Sequence, residues 1–80
     1  MAEKPRVGDT LVVEKPNGRC DVKEMLATGE WGYFQESDVG DLKSAMEIAR
    51  IRLERANGRN VWYRFASEPE NLMVPFKRRS

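Results

Sequence analysis

The chain contains no histidine and a single cysteine, Cys20. The side chain most used for proton transfer near neutral pH is therefore missing. An intrachain disulfide is impossible, and a zinc site built from Cys and His lacks its ligands. Poverty in cysteine favours a reducing, cytoplasmic compartment. Charge of one sign is lacking as well: 14 basic residues against 13 acidic ones leave a net charge of +1. A nucleic-acid partner would have to be met by local clustering of cations. No apolar run approaches the ~20 residues that cross a bilayer, and the opening MAEKPRVGD has no apolar signal core. The expectation is a protein without membrane segment, metal or cofactor, and not an enzyme.

What is present points to one folded domain. Eighty residues suffice for a single modest core, and 40% hydrophobic with 34% charged residues is the balance of a globular chain. Residues 1–9, polar and carrying Pro5 and Gly8, read as a loose arm. Thr10 to Val13 (TLVV) is a β-branched apolar strand. Lys15-Pro16-Asn17-Gly18 is a turn, because Asn and Gly tolerate positive φ. Cys20 and Val22 alternate with polar neighbours as in a half-buried second strand. Trp31 to Gln35 is a third strand, and Asp38 and Asp41 are placed to cap a helix running from about Asp41 to Ala56. Asn57-Gly58 ends that helix. Val61 to Phe65 and Leu72 to Phe76 supply two more strands, and 77–80 is a basic tail. The order β-β-β-α-β-β predicts an α+β, two-layer domain over 10–76. Its four- to five-stranded sheet is mostly antiparallel, with one helix on one face.

At 100° per residue, Leu42, Ala45, Met46, Ala49, Leu53 and Ala56 share an arc of about 100°, the width of a core-facing stripe. Ile48 and Ile51 fall outside it, flanked by Arg52 and Arg55. Either the arm or the tail folds over them, or they are simply exposed, as many apolar residues are, or they form the apolar centre of an interface whose rim the arginines supply, with a second copy of the chain or with another protein. In VWYRF, alternation sends Val61, Tyr63 and Phe65 to the helix side and Trp62 and Arg64 to the other. Trp62 beside Arg64 suits a protein hot spot or a cation–π pair, and equally the stacking of an unpaired base, with Arg64, Lys77, Arg78 and Arg79 meeting phosphates. Cys20, inward with Val22, reads as a small buried hydrophobe.

The stretches VVEKPNGRCDVKE (Val12 to Glu24), LKSAMEIAR (Leu42 to Arg50) and NVWYRF (Asn60 to Phe65) resemble a small uncharacterised bacterial and phage domain family. That family has a V-V hairpin, a Gly turn, a V-K second strand, an A-x-x-x-A-R helix and a closing hairpin; WGYF is extra here. The arrangement is also similar to small phage-encoded inhibitors, including anti-CRISPR proteins. The resemblance implies a fold and a setting among phages and mobile elements, and it carries no catalytic residues. The functional expectation is a non-enzymatic protein-binding module, in its most concrete form an inhibitor of a bacterial defence complex. The alternative is a nucleic-acid-binding accessory protein.

Overall fold

The structure, a computed structural model, describes residues 4–33, 38–68 and 74–75. Five strands, β1 (Thr10–Glu14), β2 (Cys20–Met25), β3 (Trp31–Tyr33), β4 (Val61–Phe65) and β5 (Val74–Pro75), form one sheet, and α1 (Leu42–Arg55) lies between β3 and β4 in sequence. The spatial order is β3-β2-β1-β4-β5. Three of the four pairings are antiparallel; β1 and β4, at the centre, run parallel. The two-layer α+β arrangement expected from the sequence is the one observed. Phe34 and Gln35, the flanks of Val74–Pro75, and the tail lie outside the described residues.

Local chemistry sets the boundaries. Gly18 N–H donates to the Lys15 carbonyl, and Arg19 N–H to the Asn17 side chain, closing the first hairpin. Asp41 caps α1 by accepting from Ser44 N–H at 3.0 Å, which satisfies one of the helix's orphan donors. At the far end Asn57 takes φ +56°. Gly58 N–H then reaches the Leu53 carbonyl and Asn57 N–H the Glu54 carbonyl, the two bonds of a Schellman cap.

The register places Thr10, Val12, Cys20, Val22, Val61 and Tyr63 on the helix side. Val12, Cys20, Val22 and Val61 join Ala45, Met46 and Ala49 in one cluster, with Leu42, Ile48, Leu53 and Tyr63 packed around it. Two alanines at the contact let the helix sit close to the sheet, and Thr10 Oγ1 donates to the Ala49 carbonyl across the interface. That closeness widens the buried stripe beyond the sequence-derived arc, so Ile48 meets the core instead of pairing with Ile51 on an outer face. Ile48, expected at the interface, is thus half-buried against the core.

The opposite face of the sheet is not open. Leu11, Val13 and Trp62 form a second cluster there, with Trp31 and Ala66 against it. Trp62 does point away from the helix, as alternation requires, but it is only 2% exposed. The expected outward tryptophan is a core residue. The reason lies in β1: TLVV is apolar on both faces, the pattern of a central strand covered on both sides, and its neighbour in the sheet shares that burial.

A candidate binding face and the basic pole of the molecule

Asp9 organises one end of the fold. The sequence places it in a loose arm, yet it is fully buried. Its Oδ2 accepts from Arg6 N–H and from Trp62 Nε1–H, both at 2.9 Å. Its Oδ1 accepts from Arg59 N–H at 2.8 Å and Asn60 N–H at 3.1 Å. Its own carbonyl accepts from Met25 N–H, and Gly8 N–H donates to the Met25 carbonyl. Burial by itself would raise the Asp9 pKa, but the four N–H donors outweigh it and hold the carboxyl below its usual value. The arm, the end of β2, the loop after α1 and β4 therefore meet on one carboxylate. A buried indole N–H needs an acceptor; a tryptophan on a two-sided sheet together with an aspartate just before TLVV is the signal that points to this contact.

The same junction brings cations together. Arg6 and Arg59 are adjacent because their backbone N–H groups share Asp9. Gly8 and Gly58 lie in direct contact: a Cβ on Gly8, at φ +95°, would stand 2.8 Å from the Ala56 carbonyl oxygen, and one on Gly58 would collide with the Gly8 carbonyl. This crossing seats the arm beside the last turn of α1, which carries Arg52 and Arg55. Lys4, Arg6, Arg55 and Arg59 are exposed, and none forms an ion pair among the described residues. Arg52 is half-buried and engaged within the fold.

The other end differs. Lys15 Nζ lies 3.2 Å from Asp21 and 2.8 Å from Asp38, and Arg19 Nε is 3.1 Å from Asp38. Arg19 also donates to the Asp38 carbonyl, and Asp38 N–H to the Asp21 side chain. These contacts tie the segment before α1 to the first hairpin and neutralise its cations. The hydrogen bond to Lys15 is the largest cause of the lowered Asp38 pKa and, reciprocally, the one to Asp38 of the raised Lys15 pKa.

Of the residues expected to meet a partner, Ile51 is 53% exposed and Arg55 is exposed beside it, one helical turn on. Ile48 is half-buried against the core, and Trp62 belongs to it. Arg64 is half-buried, with Nη1 donating to the carbonyl of Glu68 at 2.8 Å and, at longer range, to those of Ala66 and Phe65. It staples the turn after β4 instead of reaching into solvent. Lys77, Arg78 and Arg79 lie outside the described residues. Arg6 and Arg59, which the sequence did not mark, have their backbones at the Asp9 junction, near the helix end whose last turn carries Arg55.

Cys20 is buried, and burial first, then the carboxylates of Glu14, Asp21 and Asp41, pushes its thiol pKa up, away from the reactive thiolate. Among the described residues no group of three or more His, Cys, Asp or Glu is placed to hold a metal ion, and no helix is long and apolar enough to cross a membrane. An open groove of about 590 Å³ runs along α1, lined by Asp41, Leu42, Lys43, Met46, Glu47 and Arg50, with both charge signs on its rim. No family model, curated protein or solved structure matches this chain.

Proposed function

We propose that this protein is a non-enzymatic, cytoplasmic binding module that engages another protein through the outer face of α1, centred on Ile51 and Arg55. The observation that carries this reading is the 53% exposure of Ile51 on a helix anchored to the sheet by its opposite face. A rigid helix presenting a large apolar side chain among arginines matches the centre and rim of a protein interface. Ordering such a surface on binding costs little, because the helix is already fixed. The family resemblance gives the reading its concrete form: a phage- or mobile-element-encoded inhibitor of a bacterial defence complex, similar to anti-CRISPR proteins. A nucleic-acid role is the weaker reading, since its stacking residue, Trp62, lies in the core and Arg64 is held by backbone carbonyls.

The test is affinity capture from host lysate with wild type and Ile51→Asp run side by side, together with light scattering of the purified chain. The proposal expects a protein retained by the wild type and lost with Ile51→Asp at unchanged melting temperature. A wild-type dimer that Ile51→Asp converts to monomer would assign the face to a second copy of the chain. Equal retention by both proteins would contradict the proposal.

A further inference from the structure

We infer that the partner surface is acidic, and that it extends beyond α1 onto the arm, where Arg6 and Arg59 join Arg55 and Lys4 in one docking site. This rests on the reading of α1 as the binding face and specifies the chemistry of what binds there.

Three observations converge. First, the fold assembles the cations: Asp9 draws the Arg6 and Arg59 backbones onto one carboxylate, and the Gly8–Gly58 crossing sets them beside the helix end that bears Arg55. Second, they are not neutralised among the described residues. Lys15 and Arg19 at the opposite end are paired with Asp21 and Asp38, whereas Lys4, Arg6, Arg55 and Arg59 form no ion pair among the described residues. Complementarity to a helix C-terminus accounts for Arg55, but Arg6 and Arg59 stand on loops outside the helix. Third, apolar groups are interspersed with the cations. Val7, between Arg6 and Gly8, is 61% exposed, and Ile51 lies four residues before Arg55.

Guanidinium forks grip carboxylates bidentately, and exposed Val and Ile have apolar side chains to meet on a protein but little to gain along a phosphate backbone. The net charge of +1 supplies no general attraction to polyanions. The occupant that fits is a carboxylate-rich protein segment carrying aliphatic side chains.

The experiment uses the full chain, labelled with ¹⁵N, titrated with a defined peptide of alternating glutamate and leucine and, separately, with single-stranded oligothymidine. The expected result is saturable amide shifts confined to residues 4–9 and 51–60 with the peptide. Binding should weaken about tenfold in Arg6→Glu/Arg59→Glu and clearly in Arg6→Gln/Arg59→Gln, which guards against a folding defect beside Asp9. No binding, or shifts as large at Lys15 and Arg19 as at the arm, overturns the inference. So does tighter binding of oligothymidine at the same residues, which would assign the site to phosphates. If Ile51→Asp abolishes partner capture while both arginine variants bind the peptide like wild type, the inference fails and the α1 reading stands. If Ile51→Asp leaves capture unchanged, the α1 reading itself fails.

Discussion

Two isoleucines three positions apart separate packing from recognition at the residue scale. Ile48 packs on the core cluster, whereas Ile51 is half in water. An aspartate at 48 would put a charge against apolar neighbours, so Ile48→Asp should lower stability by ~2–4 kcal/mol. Ile51→Asp should fall within about 0.5 kcal/mol of wild type; thermal melts of the two variants check the contrast. Trp62 offers a second comparison. Trp62→Phe keeps most of the ring's packing but removes one of the four donors to Asp9, at a cost of ~1.5–3 kcal/mol, the range for hydrogen bonds to charged groups. Trp62→Ala should cost ~3–5 kcal/mol. Urea denaturation of both variants, and of Asp9→Ala alone and combined with Trp62→Phe, would isolate the coupling between indole and carboxylate.

The elements meet at two polar clasps with opposite pH responses. The Asp9 carboxyl is held below its usual value, so its ionised form favours the fold. That contribution is complete above the unfolded-chain pKa of about 3.9 and is lost as pH falls through the lower folded value. Acid unfolding of the wild type should therefore be steeper than that of Asp9→Asn, which is less stable near neutrality. Tyr63 behaves oppositely. Its hydroxyl donates to Glu14 at 2.5 Å, joining the parallel strands β1 and β4. This bond first, then burial and the charge of Glu14, raises its pKa from 10 to about 12. The neutral phenol favours the fold, so its contribution is intact below pH ~10 and lost as pH rises towards 12. Wild type should lose stability over that window, and Tyr63→Phe should lose less, in unfolding curves at stepped pH. The arm's crossing over the helix end has its own check. Gly58→Ala would drive a methyl into the Gly8 carbonyl, and should lower the melting temperature by several degrees while shifting amides in residues 4–9.

The whole molecule was legible in outline from its sequence and opaque where distant segments meet. Asp41 and Asn57-Gly58 marked the ends of α1, turn chemistry marked the first hairpin, and alternation set the register of β4, because each is a local effect. The parallel pairing of β1 with β4 was not legible, since periodicity carries no strand direction. Nor was the second buried face, although TLVV, apolar on both sides, hinted at it. The largest gap was Asp9: its role depends on partners 50, 51 and 53 residues away, and only the assembled fold brings Arg6 and Arg59 beside Arg55. Across the described residues this leaves a polarised charge pattern, with Lys15 and Arg19 paired at the hairpin end and Lys4, Arg6, Arg55 and Arg59 in no ion pair where the arm meets the helix.

That polarity makes the binding surface testable in one measurement: retention of the captured partner by wild type, Ile51→Asp and Arg6→Gln/Arg59→Gln, immobilised at equal density and washed at low and then high salt. The account predicts no retention by Ile51→Asp at either salt. It also predicts retention by the arginine variant that is weaker than wild type at low salt and converges on it at high salt, where rim charges are screened. Retention by Ile51→Asp equal to wild type, with both proteins folded, would contradict it.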